Sequence, residues 1–233
     1  MLKPDWGKYY EMEATFKSFL PEEDPSESHR VRFAQELIPK RDIRAAVDVG
    51  CGNGYLCSQL KKKISEVSGI DLSKTRIDSA KKRYPGIEFV QGSIYDLPYE
   101  DNSRDLVTAV ETIEHLENPV AAIKEMRRVS KKYVVITVPY KKRIREVLCP
   151  YCFKKHKLDG HLHSFDEEKL ERLCSESGLK VKKIGRYSIP RPFEEKLGKF
   201  LPRSIVMTLR RFLRFTGLIS EDIYMYLGVL CAK

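Results

Sequence analysis

The stretch Ala45-Ala46-Val47-Asp48-Val49-Gly50-Cys51-Gly52-Asn53-Gly54 decides how the rest of the chain is read. Its short apolar run is of strand type, and the glycines that follow break it sharply. Glycine reaches backbone conformations closed to other residues, so this run predicts a tight turn where a ligand approaches the main chain closely. Tyr55, Leu56 and Leu60 then fall on one side of a helix, and residues 66–70 read as a second strand ending at Asp71.

Working outward, the same alternation continues. Upstream, residues 29–38 carry apolar side chains at 31, 33, 34, 37 and 38, a helix ended by Pro39. Downstream come a helix at 74–83, a strand at 87–90, a strand at 105–110, a helix at 119–129 and a strand at 133–138. Residues 166–177 read as a helix, 179–189 as a strand and 223–231 as a final strand rich in aromatic and β-branched side chains. Strands alternating with helices at this pitch predict an α/β protein with a doubly wound, mainly parallel sheet covered on both faces. The expected organisation is an N-terminal lid and helix at 1–40 and one domain at 41–233. That domain carries a Cys/His insertion at 141–163 and a basic amphipathic insertion at 190–222.

Charge divides the chain. Residues 1–140 hold 22 basic and 22 acidic side chains; residues 141–233 hold 21 and 11, which accounts for the whole net charge of +10. A chain of 233 residues with 42% hydrophobic content is long and apolar enough to bury a full core, which excludes disordered and collagen-like classes. No window reaches 18 consecutive apolar residues, and the N-terminus lacks the apolar run of an export signal. Six scattered cysteines do not suggest a disulfide framework. A cytoplasmic enzyme is the expectation.

In an open α/β sheet, ligands bind at the carboxyl ends of the strands, where the glycine turn and Asp71 both lie. A carboxylate at that spot accepts hydrogen bonds from the hydroxyls of a ribose. These two features alone also fit NAD. The dinucleotide fingerprint, however, needs a third glycine where this chain has Tyr55. Asp48 makes the loop acidic, which repels pyrophosphate and suits a cationic ligand.

Five ordered motifs make the resemblance specific. Residues 47–54, the run Gly69-Ile70-Asp71-Leu72-Ser73, residues 89–99, residues 105–107 with 111–119, and residues 125–129 follow in sequence. Together they resemble the class I S-adenosylmethionine-dependent methyltransferases, and most closely the type 11 group that includes quinone-biosynthetic enzymes. The resemblance spans roughly residues 30–185. It implies a Rossmann-like methyltransferase fold of seven strands, with the last strand inserted antiparallel beside the fifth.

It also implies roles. The backbone of Gly50, Cys51, Gly52 and Gly54 would pass under the methionine and ribose of S-adenosyl-L-methionine, with Asp48 facing its ammonium. Asp71 would hold the ribose hydroxyls and Leu72 would pack on adenine. Gly92, Ser93 and Ile94 would complete the adenine site, with Ser93 where the family usually has Asp. Glu111 belongs to the cofactor set. Beyond the fourth strand, Glu114 and His115 face the acceptor; an imidazole is the side-chain type suited to proton removal there, and the alternative is that His115 packs against the sheet edge or contacts the methionine moiety.

The insertion carries Cys149-Pro150-Tyr151-Cys152 followed by His156, His161 and His163. A Cys-x2-Cys knuckle with a histidine pair predicts a structural zinc on Cys149, Cys152, His161 and His163. The alternative is a loop whose histidines touch substrate or cap the next helix, with Ser164 the candidate N-cap. The basic segment at 190–222 either covers the sheet edge, lies on an anionic membrane, or binds an anionic substrate or nucleic acid. The expected acceptor is a small-molecule or lipid-like compound. Alternatives are RNA or protein methylation, or a non-catalytic module.

Overall fold

The structure is a computed structural model that describes residues 5–16, 25–40, 42–148, 153, 155–157, 160–188, 200–202, 204–206, 208, 209, 212 and 225–233. Two helices, α1 (Trp6–Phe16) and α2 (Pro25–Leu37), precede β1 (Ala45–Val49). Then follow α3 (Tyr55–Lys61), β2 (Glu66–Asp71), α4 (Lys74–Arg83), β3 (Glu88–Gln91) and β4 (Arg104–Val110). After a 3-10 turn at Ile113–His115 come α5 (Pro119–Val129) and β5 (Ser130–Pro139). The chain continues through a small hairpin, β6 (Glu146–Leu148) with β7 (Lys155–Lys157), then α6 (Glu167–Glu176), β8 (Lys180–Tyr187) and β9 (Tyr226–Ala232).

The seven-stranded sheet runs β3-β2-β1-β4-β5-β9-β8. Strands β1 to β5 pair in parallel, and β9 is antiparallel to both β5 and β8. The expected sheet, including the antiparallel last strand beside the fifth, is what the chain forms. Parallel strands buried on both faces need apolar side chains at nearly every position, which is the pattern of residues 45–49 and 133–138. Val47, Val107 and Ile136 pack under α5 and α6, while Ala46, Leu106 and Val135 pack under α2 and α3.

Helix ends follow local chemistry. Asn118 caps α5 by accepting from Ala121 N–H, and Pro119 opens the helix where its missing donor costs nothing. The cap of α6 differs from expectation. Asp166, not Ser164, accepts from the backbone of Lys169 at 3.0 Å. The reason is Phe165, which is fully buried and bridges to Tyr140, holding the chain extended until one residue before the helix.

Helix α1 was not evident from apolar spacing, and no residue in it is buried. It docks on the start of α4 through charge. Glu11 accepts from Ser73 Oγ, from Thr75 N–H and from Thr75 Oγ1, and Glu13 pairs with Arg76 at 2.8 Å. Helix α2 lies over β9, where a side chain at Gly228 would collide with Leu37 at 2.5 Å.

Candidate functional site

A cavity of about 940 Å³ opens at the carboxyl ends of β1, β2, β4 and β5. Gly50 turns the chain out of β1 with φ +74°, and a Cβ there would strike Thr112 Oγ1 at 2.5 Å. Gly54 has φ +82°, and its Cβ would meet Phe89 of β3 at 2.6 Å. Close helix packing, which the dinucleotide fingerprint assigns to its third glycine, is therefore served here by Gly54, one residue before Tyr55.

Asp71 stitches the turn to β2. One carboxylate oxygen accepts from Gly52 N–H at 2.9 Å and the other from Ser73 N–H at 2.9 Å. Burial pushes its carboxyl up, opposed by those backbone donors. Leu72, Gly92, Ser93 and Ile94 line the same end of the cavity. Ser93 Oγ accepts from Tyr95 N–H at 3.2 Å and so is engaged in its own turn.

The structure does not bring every expected residue to the surface of the cavity. Asp48 is 3% exposed, absent from the cavity wall, and accepts from Thr108 Oγ1 at 2.6 Å across β1 and β4. Its carboxyl is pushed up to about 7 by burial. Cys51 lines the wall, with its thiol raised well above the ordinary range by burial, so it is inert as a nucleophile.

The opposite end of the cavity is built by the loop after β4. Glu111 has φ +53°, a conformation few side chains adopt, and its carboxylate accepts from Thr137 Oγ1 at 3.2 Å. Burial raises its carboxyl to about 8, opposed by Arg30. Glu114 is 1% exposed, and burial pushes it well above the usual carboxylate range. His115 Nε2 lies 3.8 Å from Glu114 Oε1.

Of the four expected zinc ligands, Cys149 and Cys152 lie outside the described residues. His161 and His163 turn to different partners. His163 Nε2 bonds the Leu116 carbonyl at 2.8 Å, while the His161 ring meets the His115 ring edge-on at 4.6 Å.

One wall residue, Arg30, had no sequence signal. Arg30 on α2 bonds Glu27 and the Tyr226 hydroxyl, and both partners also line the cavity. On an amphipathic helix such a polar side chain reads as solvent-facing. Trp6 and Tyr10 of α1, in the stretch expected to form a lid, roof the end of the cavity built by the loop after β4, with Trp6 Nε1 donating to Glu117 at 3.2 Å and Tyr10 edge-on to His115.

This sheet order, with a glycine turn after β1 and an acid closing β2, defines the fold of the class I S-adenosylmethionine-dependent methyltransferases. Residues 47–136 match the type 11 methyltransferase domain model, and the chain carries a methyltransferase domain of that S-adenosylmethionine-dependent family. A probable S-adenosylmethionine-dependent methyltransferase of Mycobacterium tuberculosis is 30% identical over 116 residues, covering 50% of this chain and 42% of the relative. The demethylmenaquinone methyltransferase of Staphylococcus aureus is 33% identical over 114 residues, 45% of this chain and 47% of that one. The chain thus spans less than half the length of these curated relatives. The crystal structure of an S-adenosylmethionine-dependent methyltransferase from Mesorhizobium loti superimposes with a TM-score of 0.61 at 16% identity, over 87% of this chain and 96% of that one, a likeness of fold.

Proposed function

We propose that the protein transfers a methyl group from S-adenosyl-L-methionine to a small, lipid-soluble acceptor of quinol type. One observation carries this reading: a single cavity joins the glycine turn and Asp71 at one end to an aromatic-walled chamber at the other. The first end offers the backbone and the carboxylate that a nucleoside with an amino-acid tail requires. The second, walled by Trp6, Tyr10, Leu116, Tyr140, Met225 and Tyr226, suits a flat apolar ring. The similarity to the Staphylococcus aureus demethylmenaquinone methyltransferase supports the quinol class.

Methyl transfer from a sulfonium is an in-line displacement, so the protein contributes mainly alignment and exclusion of water. The roof of Trp6 and Tyr10 supplies the exclusion. Glu114 and His115 are the groups that face the acceptor, and Glu111 lines the cavity from the same loop after β4. Among the described residues no helix is long and apolar enough to cross a membrane. Lipid contact through the basic segment at 190–222 remains part of the proposal only as the route by which an apolar acceptor would arrive. Most of that segment lies outside the described residues.

The test is calorimetry with S-adenosylhomocysteine followed by transfer of labelled methyl to short-chain quinols. Binding in the micromolar range and label in the organic phase are expected. Absence of binding at high micromolar ligand sinks the reading.

A further inference from the structure

We propose that Glu114, His115 and His161 form a divalent-metal site at the acceptor end of the cavity, and that its ion holds a hydroxyl oxygen of the acceptor. This deepens the methyl-transfer reading and rests on it. One donor atom from each of the three residues lies within 4.8 Å of the other two, and all three residues line the cavity. Two imidazoles and a carboxylate make a donor set suited to zinc, manganese or iron, and three protein ligands leave coordination positions open for substrate.

A second observation points to a cation independently. Among the described residues, neither carboxylate oxygen of Glu114 has a hydrogen-bond partner, although the side chain is almost wholly buried. Ionised, such a group is costly, which is why burial favours its neutral form, and a bound cation would offset that cost and favour the carboxylate. The guanidinium of Arg30 bonds Glu27 and Tyr226, and its charge, with that of Lys142, only partly offsets the burial of Glu114.

The scaffold holds the ligands in place without an ion. Leu162 N–H and His163 N–H both donate to the Glu114 carbonyl, at 2.8 and 3.2 Å. With His163 Nε2 on the Leu116 carbonyl, these bonds lace the end of the insertion to the loop after β4. His161 is thereby held against His115, while His163 is a positioning residue and not a ligand. The proposed grouping shares His161 with the tetrahedron expected from the sequence, whose Cys149 and Cys152 lie outside the described residues.

The chemistry follows from the donor set. A hydroxyl oxygen on the ion loses its proton to solvent more readily. The oxygen lone pair then forms the bond to the methyl carbon as the carbon–sulfur bond breaks. The electron pair of that bond stays on sulfur, leaving a neutral thioether, a methyl ether and one released proton. In this arrangement Glu114 and His115 act by holding the ion, and no protein base is required.

The test uses the full chain purified without a histidine tag and stripped by chelator. Calorimetry with MnCl2 and with ZnCl2, each alone, is expected to show one ion per chain. Glu114→Gln and His161→Asn should each weaken binding by roughly 100-fold, with circular dichroism unchanged. A Cys149→Ser/Cys152→Ser double variant should bind as the parent does. Should Glu114→Gln fail to fold, His161→Asn decides. No binding at millimolar ion, binding that survives His161→Asn, or binding lost in the double cysteine variant overturns the site. S-adenosylhomocysteine titrated into the stripped protein keeps the two ideas apart: retained nucleoside binding without metal binding overturns only the metal site, and loss of both removes the reading beneath it.

Discussion

Asp71 does two jobs with one carboxylate, since its oxygens already accept from Gly52 and Ser73 N–H. These bonds fix the oxygens at the mouth of the turn, and each has lone pairs to spare for ribose hydroxyls. Hydrogen bonds to a charged group contribute about 1.5–3 kcal/mol. Asp71→Asn should therefore weaken S-adenosylhomocysteine roughly 10- to 100-fold in calorimetry, and unchanged affinity would remove Asp71 from the ribose. The position of this acid was legible because it closes a strand at a fixed distance from a glycine turn. Asp48 was equally visible, yet the side-chain period of a strand turns it toward Thr108 and away from the cavity wall. Glu114 was legible as an acid just beyond the fourth strand, but its burial and its grouping with His161 were not, because two loops far apart in sequence meet there.

At the level of elements, regular apolar spacing announced α5 and β5, whereas α1 is held by polar contacts that leave no periodic trace. An isolated helix of its length is marginal in water, so its docking on α4 decides whether it stays formed. Hydrogen bonds from Ser73 and Thr75 hold the Glu11 carboxyl below its usual range. A Glu11→Ala/Glu13→Ala variant should release the helix and shift the emission of Trp6, the only tryptophan in the chain, to the red. The same variant should admit water to the acceptor end and lower methyl transfer more than cofactor binding. An unshifted spectrum would show that Trp6 and Tyr10 hold the roof by themselves. The α6 cap shows a related limit. Ser164 and Asp166 are both good caps by type, and only the burial of Phe165 selects between them.

For the molecule as a whole, buried carboxyls set how stability changes with pH. Asp48 is raised from 3.8 to about 7, and Glu111 from 4.5 to about 8. Above pH 4 the unfolded chain releases these protons while the folded one keeps them, so this contribution falls as pH rises toward 7 or 8. The climb of Asp48 corresponds to roughly 4 kcal/mol. Thermal melts across pH 4–8 should show Asp48→Asn gaining on the parent as pH rises; parallel curves would refute the assignment. The segregation of charge also has a structural counterpart. The neutral residues 1–140 contain β1 to β5 and the cofactor end, while much of the basic remainder lies in insertions whose composition carries no fold signal. The sheet was legible because its strands must be apolar on both faces.

Strand β9 sits between β5 and β8 and hydrogen-bonds to both. During synthesis on the ribosome, β5 leaves the tunnel long before its neighbour exists, and β8 has no sheet to join until residues 226–232 emerge. Two open strand edges thus wait on the latest-made part of this sheet, a period of exposure to mispairing and chaperone capture. The assembly of the fold is gated by its last-made strand, and a nascent chain arrested before residue 226 should remain a client of holdases even though every motif for the cofactor has already been made.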